Sequence, residues 1–414
     1  MPDQILDAFT SDPTAMGWME GLPPPDAKRI HWAQSGHLRF PTHRYAFARM
    51  REFLPTVRVS RGAGPVWELP LALREDIDTV RFNALDDGRA LTWEQALAEN
   101  FTDAVLVLHR GVIVYERYLG VTRRDTPHIA FSVTKSFVGT LAEMLIAEGR
   151  LDPKAPVGTL IPELARSGFA DATLRQVMDM TTALDFSEEY TDPNSGIGAM
   201  SIALGLTPTA PGYAGPRDAY AFLPSIQKNG AHGERFTYRT CNTEVLGWIV
   251  ARTEGKRLDT VLSERIWQPL GMEQDADFLI DTTGMPFAGG GLNPVLRDMA
   301  RFGEAMRCSG LGNGGQQIAR AVVESVEGGG SRAAFAPAGY VWLPGGSYRS
   351  QWWMIPGNHG AYSARGIHGQ AIYIDPAAEM VIARFGSHPI AANAAFDPTS
   401  LPAYQALAEH LQRQ

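Results

Sequence analysis

Residues 128–153, HIAFSVTKSFVGTLAEMLIAEGRLDP, place a lysine three residues after a serine at the start of an apolar helical pattern. The chain holds 19 serines and only five lysines in 414 residues, so about 0.2 Ser-x-x-Lys spacings are expected by chance. Two occur, Ser132 with Lys135 and Ser225 with Lys228. The spacing alone therefore selects neither pair, and the surrounding residues have to decide.

The segments that follow the two serines differ. After Ser132 the apolar residues recur at helical spacing as far as Gly149, whereas SIQKNGAHG from Ser225 runs into an Asn-Gly turn. Ser132 is therefore expected at a helix N-terminus, with Lys135 one turn along the same face. A serine becomes a nucleophile when a base takes its proton, and a lysine in a desolvated pocket can do this. The alternative is a helix-capping serine beside a solvated lysine.

The composition restricts the class of protein. A net charge of −8 and a pI near 5.7 give no basic surface for nucleic acid or an anionic membrane. Cys241 and Cys308 are too few for a disulfide framework or a cysteine-based metal site. The sequence has no long apolar span and no recognisable secretion signal near its first residue. These features predict a soluble cytoplasmic protein without nucleic-acid or membrane partners.

The order of elements predicts an α+β fold. Residues 1–40 read as an irregular lead-in. AVLVLHRGVIVYERYLG (104–120) and GQAIYIDPAAEMVIARFGS (369–387) each give two strands around a turn, and most of the segments between them show helical patterns. A further helical pattern, LPAYQALAEHLQRQ (401–414), closes the chain. We therefore predict a sheet domain built from 41–130 and 285–414, with a mostly helical domain, 131–284, inserted between its two parts.

Two further segments carry chemically useful residues, although each has an ordinary alternative. Tyr238, in GERFTYRTCNTEVLGWIV, precedes a predicted helix, and a tyrosine beside a lysine could serve as a base; the alternative is a half-buried aromatic. Glycines before the strand in SARGIHGQAIYID would let a backbone N–H approach a ligand, as an oxyanion hole requires. The alternative there is a plain turn.

Together these three segments resemble the penicillin-recognising serine hydrolases, which comprise β-lactamases, DD-peptidases and related esterases. More closely, the sequence is similar to the 6-aminohexanoate-dimer hydrolases, the nylon-oligomer hydrolases of that superfamily. The similarity runs in order from about residue 40 to 385 through HRYAFARMREFLPTVRVSRG, FSVTKSFVGT, LRQVMDMTTALDFSEEYTDP, FTYRTCNTEVLGWIVAR, GGGLNPVLRDMARFG, and SYRSQWWMIPGN to GIHGQ. It implies the β-lactamase-like fold, an antiparallel sheet flanked by helices with a mostly helical domain inserted, and a homodimer.

The resemblance also implies roles for individual residues. Ser132 would be the acylated nucleophile, and Lys135 and Tyr238 the proton-transfer pair, with Lys135 keeping Tyr238 acidic. The backbone N–H groups of Ser132 and Ile367 would form the oxyanion hole. Tyr190 would approach the scissile amide nitrogen, and Trp353 would line the pocket on a mobile loop. Water then hydrolyses the acyl-enzyme, and neither a metal nor another cofactor is implied.

Several positions depart from the family pattern. Thr240 stands at the third position of the usual Tyr-x-Asn, and Asn242 is the nearest possible substitute. Ala364, Arg365 and Gly366 replace Lys-Thr-Gly, which leaves Arg365 or His368 as a source of positive charge. The alternative for His368 is a structural role. In the substrate pocket, Ser201 aligns with an acidic residue that recognises the amino end of the nylon dimer, and Gly289 aligns with a polar residue.

These departures lead to a functional prediction with alternatives. We expect a serine hydrolase that acts on small carboxylic esters, because esters need less protonation of the leaving group, with linear amides as a second substrate class. The first alternative is a 6-aminohexanoate-oligomer amidase. A β-lactamase or DD-peptidase follows well behind, as does a catalytically silent scaffold on the same fold.

Overall fold

The computed structural model describes residues 5–413. Met1–Gln4, at the start of the predicted lead-in, and Gln414, at the end of the predicted C-terminal helix, lie outside the described residues. Within residues 5–413, the strands are β1 (Thr56–Val59), β2 (Arg81–Asn83), β3 (Ala90–Thr92), β4 (Thr102–His109), β5 (Val112–Tyr118), β6 (Ala276–Leu279), β7 (Leu292–Asn293), β8 (Leu311–Gly312), β9 (Gly315–Gln316), β10 (Ser347–Arg349), β11 (Trp352–Met354), β12 (Tyr362–Gly366), β13 (Gln370–Asp375) and β14 (Met380–Gly386).

Ten of the fourteen α-helices in residues 5–413 lie between β5 and β10. The α-helices of the described residues are α1 (Pro13–Met16), α2 (His43–Ala46), α3 (Trp93–Glu99), α4 (Val133–Ala147), α5 (Val157–Leu160), α6 (Leu174–Met178), α7 (Gly196–Ala203), α8 (Ala219–Phe222), α9 (Thr240–Glu254), α10 (Leu258–Leu262), α11 (Leu296–Arg307), α12 (Arg320–Glu327), α13 (Arg332–Phe335) and α14 (Asp397–Gln412). None of the helices within residues 5–413 combines the length and the apolar character needed to cross a membrane.

The main sheet joins distant parts of the chain. It has seven strands in the order β10-β11-β12-β13-β14-β4-β5, and every neighbouring pair is antiparallel. The pairing of β14 with β4 joins the C-terminal strands to the N-terminal ones and sets Met380 opposite His109. The predicted α+β class with an antiparallel sheet flanked by helices is therefore confirmed. The predicted domain boundaries at residues 41, 131 and 285 stay a prediction.

Alternation along the strands gives the sheet two buried faces. In β4, Ala104, Leu106 and Leu108 belong to one apolar core, whereas Val105 and Val107 belong to the other. The first core also contains apolar residues of α4, α9 and α11, and the second contains residues of α3 and α14. A strand covered on both faces has no polar side, which explains the unbroken apolar run in its sequence.

Helix α4 is enclosed by protein, and this fixes its first turn. Nearly every residue from Val133 to Leu145 is buried, as expected for a helix with apolar residues all round. Phe137 stacks on Phe302 of α11 with ring centroids 3.9 Å apart. Gly139 permits close contact with the β10–β11 turn, because a Cβ atom there would overlap the carbonyl oxygen of Ser350.

Most local predictions from the sequence are confirmed. The first hairpin turns at Arg110 and Gly111, both with positive φ, as a two-residue hairpin turn requires. The second hairpin turns after Asp375. The C-terminal helix was predicted from residue 401 but begins at Asp397, since Pro398 is acceptable in the first turn of a helix.

Candidate active site

Ser132 lies at the start of α4, where the chain turns sharply into the helix. It immediately precedes Val133, the first helical residue, and its side chain makes no capping hydrogen bond. Phe131, the residue before it, has a φ of 43°, a strained value for a bulky side chain. The predicted alternative of a helix-capping serine is therefore wrong. The Ser132 hydroxyl instead lines a cavity of about 510 Å³.

Lys135 lies behind Ser132 rather than in solvent. Its side chain is fully buried, and its Nζ atom is 3.1 Å from Ser132 Oγ and 3.1 Å from Thr240 Oγ1. The same Nζ donates to the carbonyl oxygen of Gly289. Burial lowers the pKa of Lys135 to about 8, against the opposing effect of the carboxylates of Glu188 and Glu244. A sizeable neutral fraction therefore exists near pH 8, and a neutral amine can accept the serine proton.

Tyr238 faces the same serine but does not have the acidity predicted for it. Burial and the nearby Glu188 raise the pKa of Tyr238 well above its ordinary value, although its hydrogen bond with Ser132 acts in the opposite direction. Lys135 Nζ lies 5.3 Å from the centre of the Tyr238 ring, over its face. The prediction that Lys135 keeps Tyr238 acidic is therefore wrong, because desolvation outweighs the lysine. Tyr238 keeps its proton and is suited to donate it.

The sequence left Thr240 and Asn242 as alternatives for the position beside Lys135. The structure places Thr240 there. Its hydroxyl contacts Lys135 Nζ at 3.1 Å. Asn242 is fully buried two residues further along α9, and its Oδ1 accepts from the Thr182 hydroxyl at 2.8 Å. Thr240 therefore makes the lysine contact at this position, and Asn242 does not.

Two backbone N–H groups at the cavity fit the predicted oxyanion hole. Ser132 and Ile367 both line the cavity, and within residues 5–413 neither N–H donates to another group. Ile367 directly follows β12, whose last residue, Gly366, packs against the strand-like segment before α4. A Cβ atom on Gly366 would come within 2.7 Å of the Ala130 carbonyl oxygen. The glycine thus allows the end of β12 to approach the serine closely.

Aromatic side chains form much of the cavity wall. Trp353 stacks on Tyr238 with ring centroids 5.5 Å apart, and Tyr190 stands at the mouth with 39% of its surface exposed. Trp353 belongs to β11 of the main sheet, so its predicted position on a mobile loop is wrong. Its neighbour Trp352 points the other way and packs on Phe302, as alternation along a strand requires.

Three residues predicted to bind substrate lie outside the cavity lining. The Ser201 hydroxyl donates to the Ile197 carbonyl oxygen within α7, at 2.8 Å. The Gly289 N–H donates to Glu244 Oε1 at 2.5 Å, and a side chain on Gly289 would overlap the Thr240 methyl group. Gly289 therefore contacts the lysine and not the cavity.

His368 is the third of these residues. Its Nδ1 donates to the carbonyl oxygen of His388 at 2.6 Å, and burial lowers the pKa of His368 to about 4. A neutral, enclosed imidazole does not provide positive charge for a substrate, so that prediction is corrected. The cationic side chains that line the cavity are Arg235 and Arg365. Arg365 Nη2 pairs with Asp397, and its guanidinium lies 5.4 Å from the Trp353 ring centre.

Three acidic residues that sequence reasoning missed line the cavity: Glu188, Glu189 and Asp397. Glu188 accepts hydrogen bonds from the Thr240 hydroxyl, from the Thr240 N–H at 2.9 Å and from the Tyr190 hydroxyl at 2.8 Å. Asp397 is buried against Arg365, and burial raises the pKa of Asp397. The sequence signal for Glu188 was only its place two residues before Tyr190.

Comparisons with known proteins agree with this geometry. The family model described as Beta-lactamase matches residues 93–396. The chain is 39% identical over 389 residues to the 6-aminohexanoate-dimer hydrolase of Paenarthrobacter ureafaciens, covering 94% of this chain and 91% of that one.

Solved structures give the same result. A structure from Bacillus anthracis, provisionally described as a 6-aminohexanoate-dimer hydrolase, superposes with a TM-score of 0.83 at 32% identity, covering 91% of this chain and 96% of that one. A family VIII carboxylesterase shares the fold, with a TM-score of 0.55 at 15% identity over 76% of this chain and 96% of that one.

Proposed function

The chain belongs to the β-lactamase family of hydrolases and, within it, to the 6-aminohexanoate-dimer hydrolases, and from this premise we propose a serine esterase mechanism. Ser132 is the nucleophile, and the substrates are small carboxylic esters, with linear amides as a second class. The observation that carries the proposal is the buried Lys135 amine 3.1 Å from the Ser132 hydroxyl, at the wall of the cavity.

Acylation begins with proton transfer from Ser132 to the neutral Lys135 amine while Ser132 Oγ attacks the carbonyl carbon. The carbonyl oxygen becomes an oxyanion, which accepts hydrogen bonds from the N–H groups of Ser132 and Ile367. The bond to the leaving group then breaks as Tyr238 donates a proton to it, and the Lys135 ammonium returns a proton to Tyr238. The high pKa of Tyr238 supports this role, because the phenol stays protonated until it is needed.

Deacylation reverses these roles with water as the nucleophile. Lys135, neutral again, takes a proton from the water that attacks the acyl carbon, and the oxyanion forms in the same hole. Ser132 leaves and recovers its proton from Lys135. The carboxylic acid is released, and the enzyme returns to its starting state.

The cavity favours small, partly apolar acyl groups. Its volume of about 510 Å³ falls in the range typical of small-molecule sites, and Trp353 and Tyr238 present aromatic surface next to Ser132. Ser201 and Gly289, which align with polar pocket residues of the nylon-dimer hydrolases, provide no charge to the cavity. An ester is therefore the leading substrate class, because its leaving group needs the least help.

Cleavage of 6-aminohexanoate oligomers is the second candidate. The 39% identity to the Paenarthrobacter ureafaciens enzyme favours it, as does Tyr190 at the mouth of the cavity. A β-lactamase or DD-peptidase activity has less support, since Ala364, Arg365 and Gly366 stand where those enzymes carry Lys-Thr-Gly. A catalytically silent protein is disfavoured by the lowered pKa of Lys135.

The test compares p-nitrophenyl butyrate and 6-aminohexanoate dimer as substrates of the wild type and of Ser132→Ala. Ser225→Ala is the matched control, because Ser225 belongs to the other Ser-x-x-Lys spacing and its hydroxyl donates to the Phe222 carbonyl oxygen. Ester turnover lost only in Ser132→Ala supports the esterase. Strong dimer cleavage would favour the second candidate, and ester turnover unchanged in Ser132→Ala would refute the mechanism.

A further inference from the structure

The three neighbours of Lys135 Nζ have different hydrogen-bonding capacities. The Gly289 carbonyl oxygen can only accept, whereas the hydroxyls of Ser132 and Thr240 can donate or accept. A neutral amine has two N–H bonds and one lone pair. It acts as a base towards Ser132 only if both N–H bonds point to Gly289 and Thr240, which leaves the lone pair for the serine proton.

The Thr240 hydroxyl can disrupt this arrangement, because its proton can turn towards the lysine nitrogen and occupy the lone pair. Glu188 prevents this. Its Oε1 atom accepts the Thr240 hydroxyl proton, and its Oε2 atom accepts the Thr240 N–H at 2.9 Å. With its proton committed to the carboxylate, Thr240 Oγ1 faces Lys135 with lone pairs only.

We propose that Glu188 is a positioning residue that acts through Thr240 to direct the lone pair of Lys135 at Ser132. This inference rests on the proposed function. It assigns a role to Glu188, a residue for which the sequence motifs predicted none. Glu188 does not need to touch the reacting atoms, because its effect passes through the Thr240 hydroxyl. A direct route also exists, since its negative charge favours the protonated form of the lysine.

Other groups also face Lys135, but they differ from Glu188 in their charge and in their hydrogen bonds. Glu244, on α9, also favours the charged lysine, and the Tyr238 ring covers its other side. Burial raises the pKa of Glu244 to about 8, and its Oε1 atom is held by the Gly289 N–H. Burial also raises the pKa of Cys241 well above its ordinary value, so this thiol stays neutral. Of these groups, Glu188 is the one bonded to Thr240.

The change Glu188→Gln tests the inference at nearly constant shape. An amide has an acceptor at only one of its two ends, so glutamine cannot accept both the Thr240 hydroxyl and the Thr240 N–H. We expect the high-pH plateau of kcat/KM for p-nitrophenyl butyrate to fall about 10-fold or more. We also expect the midpoint of the acid limb to move to lower pH by about half a unit or more, because a negative charge near Lys135 is lost.

Glu189→Gln is the matched control, since it removes the same charge one residue away. Within residues 5–413, the hydrogen-bond partner of the Glu189 carboxylate is Thr191, through its N–H and its hydroxyl. We expect this variant to leave the midpoint of the acid limb within experimental error of the wild type. Equal midpoint shifts in the two variants would show that the charge effect is a general field effect, and a plateau that falls equally in both variants would overturn the inference. An unchanged plateau and midpoint in Glu188→Gln would also overturn it.

Variants of Thr240 test the route itself. Thr240→Val removes the hydroxyl at constant shape and should lower the plateau as Glu188→Gln does, whereas Thr240→Ser should restore most of it. Tyr190→Phe removes the other hydroxyl bonded to Glu188 and should leave the midpoint unchanged, because the Glu188 charge remains. An unchanged plateau in Thr240→Val would contradict the route through Thr240.

Failure of the inference is distinguishable from failure of the proposed function. Ester turnover by the wild type, lost in Ser132→Ala, is established first at the pH of the plateau. If that turnover is present and Glu188→Gln behaves as the wild type, the positioning role is wrong while the esterase stands. Circular dichroism and thermal melting of each variant show that the fold is retained.

Discussion

The amine nitrogen of Lys135 lies 3.1 Å from the hydroxyl oxygen of Ser132, in a fully buried position one helical turn away. This relationship joins sequence, fold and chemistry. The enclosed helix α4 sets the spacing, and burial of the lysine lowers its pKa to about 8. Burial of the lysine costs folding free energy, but it also keeps part of the amine neutral, so that Lys135 can act as the base for Ser132.

The first prediction concerns pH. Lys135 must be neutral to accept the serine proton, so activity should rise with pH and reach half of its plateau near the lysine pKa of about 8. At pH 6 the neutral fraction, and hence kcat/KM, should be about 1% of the plateau. Initial rates of p-nitrophenyl butyrate hydrolysis from pH 6 to pH 9.5 measure this, after subtraction of the Ser132→Ala rate. Constant activity across this range would contradict a lysine base.

The second prediction concerns Tyr238. Removing its hydroxyl in Tyr238→Phe should reduce amide cleavage more than ester cleavage, because an amine leaves only after protonation and p-nitrophenolate leaves without it. We expect a loss of about 100-fold in kcat for 6-aminohexanoate dimer, or for an anilide if the dimer is not cleaved, and a smaller loss for the ester. Equal losses for both substrate classes would assign Tyr238 to serine activation instead.

The third prediction concerns Gly289. A methyl group there would overlap the Thr240 methyl and come within 2.9 Å of Glu244 Oε1. Gly289→Ala should therefore displace Thr240, with a loss of stability of about 1–3 kcal/mol and a fall in kcat. Adding Thr240→Ser, which removes the overlapping methyl but keeps the hydroxyl, should recover part of the lost stability and part of the lost kcat. Urea unfolding and ester kinetics of the single and double variants measure the coupling, and strictly additive effects would refute the proposed contact.

The fourth prediction concerns the pair of Arg365 and Asp397, whose side chains are 6% and 5% exposed. Arg365→Met leaves the carboxylate buried without its partner and should destabilise the fold by about 3–5 kcal/mol. Adding Asp397→Asn should recover much of this loss. The control is Lys256→Ala, whose ion pair with Glu264 is nearly half exposed and should contribute less than about 1 kcal/mol. Equal effects of the buried and exposed pairs in urea unfolding would contradict the burial argument.

The sequence predicted much of the fold because the decisive signals are local. The turn at Arg110-Gly111 and the helix after Ser132 follow from residue types and spacing within a few positions. The sequence predicted that the two ends of the chain form one sheet domain. It did not predict that β14 pairs with β4 or the register of that pairing, because these depend on long-range contacts.

The candidate site was less predictable, because its chemistry depends on burial and on contacts between distant segments. No local pattern separates Glu188 from Glu189, yet one carboxylate bonds Thr240 and the other bonds Thr191. The acidity predicted for Tyr238 was wrong because the desolvation of a side chain is set by residues far away in the sequence. The sequence also allowed His368 as a cation, because its burial, which lowers its pKa to about 4, is set by residues from distant segments.

The most direct test of the central claim is the location of the acyl group during turnover. Wild-type protein is mixed with p-nitrophenyl butyrate, quenched in acid within the first turnovers, digested and analysed by peptide mass spectrometry, alongside Lys135→Arg. Arginine keeps the charge but stays protonated, so it cannot serve as the base. We predict a butyryl group on Ser132 in the wild type and none in Lys135→Arg. A butyryl group on another residue, or equal acylation of Ser132 in both proteins, would contradict a serine nucleophile activated by a neutral lysine.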